Sequence, residues 1–192
     1  MIDEWRTLWG QGKLPFYYVQ IAPYGYSGPN NYFSALLREV QLKILPRMPN
    51  AGMIVTLDAG KEKFIHPPDK TIVSERLAML SLDKTYHQPD IKYTTTNFKS
   101  VTFTGNHARL SFSNTAGGLI FKNNDTGNFE VAGSDKIFYP AIASIKGKNT
   151  VVVTSSQVAQ PVAVRYAFKN WVMGNLFNGN GQPVSSFRTD NW

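Results

Sequence analysis

Apolar and polar positions change rhythm along the chain, and the change divides it near residue 90. In the first part, helical and strand-like spacings alternate. Ile2, Trp5, Leu8 and Trp9 fall on one face of a predicted helix. FYYVQI at 16–21 is short, β-branched and aromatic and is bounded by Pro15 and Pro23, so it predicts a buried strand. The turn-forming PYGYSGPNN follows. Phe33, Leu36, Leu37, Val40, Ile44 and Leu45 then recur at helical spacing until Pro46 and Pro49 stop them. MIVTL at 53–57 predicts a second buried strand. A loop containing KEKFIHPPDK leads to a third helix, roughly 70–86, with Asp69 as its cap and Val73, Leu77 and Leu80 among its apolar positions. Strand and helix alternate, which predicts α/β structure with parallel strands.

From Asp90 onward the runs are short and alternating: SVTF, ARLSF, GLIF, FEVA, AIASI, TVVVT and VAVRY. Turn formers separate them at Gly105-Asn106, Gly117-Gly118, 123–127 and 147–149. In ARLSF, Ala108, Leu110 and Phe112 share one face, and Arg109 and Ser111 share the other. Seven such strands predict an antiparallel β-sandwich. The expected organisation is therefore an α/β part at 1–89 and a β-sandwich at 90–192. Two strands with three helices do not complete a parallel sheet. Either the first part is a portion of a larger α/β domain, or its open edge is paired with something else; an exposed edge of this kind is a surface for self-association.

Composition narrows the chemistry. There are no cysteines, which excludes disulfides, thiolate nucleophiles and Cys-ligated zinc. The three histidines have no paired spacing, so no metal site is expected, and no P-loop or dinucleotide glycine pattern implies a cofactor. The net charge of +7 comes from scattered Lys and Arg without an arginine-rich helix or RNP-like motif, which argues against nucleic acid as partner. No apolar run has the length of a membrane span, and no signal peptide is visible.

His66 is the leading candidate for chemistry. It follows a strand and precedes a helix, so it lies on a βα loop, where open α/β sheets place their sites. Its side chain has the pKa for proton transfer near neutrality, and Pro67 and Pro68 fix the exit of the loop. A satisfied loop imidazole is the competing use. Asp58, Glu62 and Asp69 are the nearby carboxylates that can orient an imidazole, with helix capping the alternative role for Asp69. GYSGP at 25–29 has Pro29 where G-x-S-x-G needs glycine, so Ser27 reads as a turn residue. Trp5, Trp9, Trp171 and Trp192 serve either the core or sugar stacking.

Several ordered blocks resemble sialate O-acetylesterases. MIDEWRTLWGQGKLPFYYVQIAPY is similar to their helix, P-F strand and V-Q-L-A-P segment. LREVQ at 37–41 is similar to L-R-E-A-Q. NAGMIVTLDAGKEKFIHPPDKTIVSERLA resembles their T-G-M-A-V-x-x-D strand, I-H-P loop and R-L-A helix. FEVAGSDKIFYPA, PVAVRYAF and PVSSFRTD resemble their C-terminal β domain. The resemblance implies the C-terminal half of an SGNH-hydrolase-like α/β domain followed by the β-sandwich. It also implies removal of acetyl groups from sialic acids or related sugars through a serine nucleophile, with His66 as general base. The family's G-Q-S-N block has no counterpart here: WGQGK at 9–13 has Gly12 where serine would stand. The expected partners are thus an acetylated sugar and the serine-bearing N-terminal half, and the chain alone is expected to be inactive. Relatives place an acid shortly before the histidine, where this chain has Lys63 and Phe64. Asp58, which matches the aspartate after T-G-M-A-V-x-x, is the expected acid partner. By family analogy the location is periplasmic or secreted. A non-catalytic carbohydrate-binding or structural module is the alternative function.

Overall fold

A computed structural model describes residues 1–28 and 30–192; Pro29 of the GYSGP stretch lies outside the described residues. The first part runs α1 (Ile2–Trp9), β1 (Phe16–Val19), α2 (Phe33–Ile44), a 3-10 turn at Leu45–Arg47, β2 (Ala51–Ile54) and α3 (Thr71–Lys84). Gly10, at φ 64°, ends α1 in the left-handed conformation that glycine adopts without penalty. β1 and β2 pair in parallel, from Phe16 opposite Ala51 to Val19 opposite Ile54, as the alternation of strand and helix predicts. β2 lies earlier than its apolar run. Gly52 permits this, because a Cβ there would stand 2.9 Å from the Tyr17 ring and 3.0 Å from Leu80 of α3. One face of the pair, with Tyr17, Val19 and Ile54, packs on α3 through Val73, Leu77 and Leu80. The other face, with Tyr18 and Met53, packs on Leu42, Leu45 and the β part.

Helices α1 and α2 reverse the expected arrangement. Their apolar stripes face outward: Leu8 is 77 % exposed, Trp9 69 %, Val40 58 % and Phe33 53 %. What they bury fully is Ala35 and three polar side chains. Arg6 is the buried residue of α1, and its guanidinium donates to the carbonyls of Leu14 and Pro49 (both 2.8 Å). On α2 the buried residues are Ser34, Ala35 and Arg38. Arg38 is fully buried and donates to Ser186 Oγ (3.0 Å), Ser34 Oγ (3.2 Å) and the Lys169 carbonyl. Burial pulls its guanidinium down to about 10, opposed by the nearby Tyr26 hydroxyl. An amphipathic helix normally buries its apolar stripe; here the stripes of two helices are left open.

The second part comprises β3 (Asn97–Thr104), β4 (His107–Ser113), β5 (Leu119–Phe121), β6 (Phe129–Ala132), β7 (Phe138–Lys146), β8 (Thr150–Thr154), β9 (Ala163–Tyr166), β10 (Leu176–Asn178) and β11 (Phe187–Arg188). The expected two stacked sheets take another form. Seven strands make one antiparallel sheet in the order β11-β9-β6-β7-β8-β4-β3, and β5 and β10 make a separate antiparallel pair. The sheet is nearly closed. Phe98 on one end strand stacks against Phe187 on the other, with centroids 4.6 Å apart and ring planes 2° from parallel. Short connections such as Gly105-Asn106 keep successive strands adjacent, and this aromatic contact draws the two ends together. Tyr166 pins the interior: its hydroxyl donates to Asn175 Oδ1 and accepts from the Asn175 and Leu176 amides.

Hydrophobic packing continues across residue 90. Met53, Val55 and Leu57 belong to the same buried cluster as Leu110, Phe112, Val151 and Tyr166. Gly174 lies where a Cβ would sit 3.0 Å from Leu57, and its amide donates to the Leu57 carbonyl (2.9 Å). The β part is thus a rigid floor for the strand that leads into the His66 loop.

Candidate active site

The carboxyl ends of β1 and β2 open side by side into a groove of about 420 Å³. Its walls include Gln20, Thr56 and Ala59 from the strand ends, Ile65, Pro67 and Asp69 from the His66 loop, and Val73 of α3. Parallel strands whose connections all pass on to helices leave such a crevice at this end. The floor is fixed by hydrogen bonds. Thr56 Oγ1 donates to the Gln20 carbonyl (2.6 Å), and Gln20 Nε2 donates to Ser185 Oγ (2.8 Å) and the Arg38 carbonyl (3.0 Å). At the outer side of β1, Gln41 of α2 acts as a surrogate peptide group. Its Oε1 accepts from the Ile21 amide (2.9 Å), and its Nε2 donates to the Val19 carbonyl (3.4 Å).

The loop bearing His66 is held against the segment that follows β1. The Gly25 amide donates to the Glu62 carbonyl (3.0 Å). Gly60 crosses so close that a Cβ would lie 2.1 Å from the Pro23 carbonyl oxygen, a clash with backbone that only glycine avoids. His66 itself is exposed, between Ile65 and Pro67, which line the groove. Phe64 and Ile65 beside it are 65 % and 50 % exposed, so this rim is apolar and open like α1 and α2.

The three carboxylates near the loop separate by role. The Asp58 side chain is 7 % exposed and binds Arg76 of α3 in a two-point ion pair, Oδ1 at 2.6 Å and Oδ2 at 2.7 Å, while Arg76 also donates to the Val55 carbonyl. It ties α3 to the end of β2. Asp69 Oδ1 accepts from the Thr71 amide (2.9 Å) just ahead of α3, and this bond holds its carboxyl below the ordinary value. Glu62 is exposed and joins the loop through its backbone. Ser27 is exposed in an irregular stretch. Trp5, Trp9 and Trp192 are 48 %, 69 % and 42 % exposed, so three of the four tryptophans stand outside the core. Sequence reasoning missed the cross-links made by Arg38, Gln41 and Arg76. LREVQ and SERLA contain them, but spacing alone does not say which polar side chain of a helix turns inward.

Among the described residues, no three His, Asp or Glu side chains gather as a metal site, and no helix is long and apolar enough to cross a membrane.

Asp58→Asn is expected to lower stability by about 2–3 kcal/mol, because it leaves Arg76 buried beside a neutral partner. The shift in urea midpoint measures it. If Asp58 also orients His66, activity falls beyond what the loss of folded protein explains.

The chain is similar over its whole length to the crystal structure of a carbohydrate acetylesterase from Xanthomonas citri. The two are 38 % identical with a TM-score of 0.90, and the match covers 100 % of this chain and 45 % of that one. This chain therefore spans less than half of the esterase that it resembles. No protein-family model matches it, and neither does any curated protein.

Proposed function

We propose that this chain is the histidine-bearing portion of a carbohydrate O-acetylesterase of the sialate O-acetylesterase type, and that it works with a serine-bearing α/β portion. In this reading the first part is half of an SGNH-like domain. The observation that carries it is the reversal of α1 and α2. Two helices bury arginine and serine while Leu8, Trp9, Phe33 and Val40 face solvent. Such faces are the interior of a larger domain. The esterase of Xanthomonas citri, of which this chain matches 45 %, supports the same reading.

The chemistry then follows from His66. The serine hydroxyl of the other portion attacks the acetyl carbonyl as the His66 imidazole takes its proton. The imidazolium gives that proton to the departing sugar oxygen, leaving an acetyl-serine. Water, deprotonated by the same imidazole, releases acetate and restores the serine. Oxyanion donors come with the serine, and Asp58 is the candidate for orienting the imidazole.

The expected result is that the chain alone does not hydrolyse p-nitrophenyl acetate, acetylated xylan or O-acetylated sialic acid. Co-expressed with the remaining 55 % of the Xanthomonas citri esterase, it is expected to form a one-to-one complex and to gain hydrolysis. The ratio of rates on the sialic acid and xylan esters decides the sugar. Failure of the two chains to associate, with the isolated chain self-associating instead, overturns the proposal. So does hydrolysis by the chain alone that His66→Ala leaves unchanged.

A further inference from the structure

The charge of this protein sits mainly on its β part. Residues 91–192 hold ten of the twenty Lys and Arg but only four of the thirteen Asp and Glu, which places six of the seven net positive charges there. No acidic residue occurs at 91–124 or at 136–189. The strands β3, β4, β7 and β8 lie wholly in these acid-free stretches and are neighbours in the sheet. Their inward side chains, Ala108, Leu110, Val151 and Val153 among them, fill the core. Their outward side chains form an open face.

That face is built in register. Thr104 pairs with His107, which pairs with Thr154, which pairs with Ile142; one row on, Thr102, Arg109, Val152 and Ser144 align in the same way. Two adjacent depressions mark it. One, about 410 Å³, is lined by Thr102, Thr104, His107, Arg109 and Val152. The other, about 530 Å³, has Ile142, Thr154, Ser155 and Gln157 in its walls. Arg109, Lys146 and Lys148 are exposed in acid-free sequence. By contrast, Arg165 and Lys169, toward the other end of the sheet, are paired with Asp190 and Glu130 at 2.8 Å.

We infer that this outer face binds an acidic polysaccharide, a chain of sugars carrying carboxylates. Four strands at ~4.8 Å spacing give a platform about 14 Å wide, broad enough for several linked sugar rings. Threonine, serine and glutamine side chains both donate to and accept from sugar hydroxyls. Val152 and Ile142 offer apolar ground for the C–H faces of the rings. Arg109 and Lys146 meet carboxylates, Arg109 in the two-point geometry that guanidinium favours. Nucleic acid fits less well, since no Phe, Tyr or Trp stands in these rows to stack on bases and His107 is the one aromatic ring there. The inference is independent of the esterase reading, because its readout is binding and not turnover.

The test is affinity electrophoresis and calorimetry of the 192-residue chain with polygalacturonate, neutral xylan and single-stranded DNA. Polygalacturonate is expected to retard the protein and neutral xylan to do so much less. Arg109→Glu with Lys146→Glu is expected to weaken polygalacturonate binding about tenfold or more. Lys13→Glu with Arg47→Glu, the same charge change on the α/β part, is expected to leave it unchanged. Equal losses in the two double variants reduce the effect to net charge and overturn the inference. DNA bound as tightly as polygalacturonate, or no retardation by polygalacturonate, also overturns it.

Discussion

Replacing His66 by alanine in the reconstituted two-chain esterase is expected to lower kcat about 1,000-fold or more on acetylated sugar, with KM changed little. The reason is that in the proposed mechanism the imidazole handles a proton in both acylation and deacylation, and a positioned general base contributes typically 10²–10⁴-fold. KM is spared because His66 sits on the rim of the groove, where the walls and floor come from Gln20, Thr56, Ile65 and Pro67. Stability is expected to stay within about 0.5 kcal/mol, since the side chain is exposed. Equal loss of folding and activity, or unchanged kcat, removes His66 from the mechanism. The comparison with Asp58→Asn is informative, because that carboxylate hydrogen-bonds Arg76 with both oxygens. A stability loss without a shift in the pH profile makes Asp58 a brace for α3. A shifted profile makes it the partner of His66.

Arg38→Ala is expected to destabilise the protein by about 3–4 kcal/mol. Truncation leaves a cavity and strips partners from Ser34, Ser186 and the Lys169 carbonyl. Arg38→Met should cost less. It refills most of the volume, and it removes a buried cation that has hydroxyls and a carbonyl for partners but no carboxylate. Denaturant midpoints for the two variants separate packing from polarity. If alanine costs under 1 kcal/mol, Arg38 is not the brace between α2 and the β part.

The sequence reveals periodicity well and burial poorly. FYYVQI and its proline borders mark β1, and the strand-loop-helix order around KEKFIHPPDK places His66 on a βα loop. Those features are local. The apolar spacing of Phe33, Leu37, Val40 and Ile44 identifies α2 equally well, but says only that one face is apolar, not what covers it. The side toward this chain's own core is the one with Ser34 and Arg38. Likewise, alternation in ARLSF and TVVVT marks strands, while the curling of one sheet until Phe98 meets Phe187 depends on residues 89 positions apart. The commitment of Asp58 to Arg76 is tertiary for the same reason: a carboxylate after a strand has the same spacing whether it faces a loop histidine or a helix arginine.

The carboxamide of Gln41 sets a limit on how the open sheet can be extended. In a parallel strand, alternate residues point their backbone groups outward. On β1 these are Tyr17, Val19 and, just beyond, Ile21. Gln41 already occupies the Val19 carbonyl and the Ile21 amide, which leaves the Tyr17 peptide groups and the Val19 amide as the station for an incoming strand. A complementary strand must therefore end level with Val19 and turn away. Assembly thus has a built-in ruler: a chain whose strand runs on past that point has to displace Gln41 before it can seat.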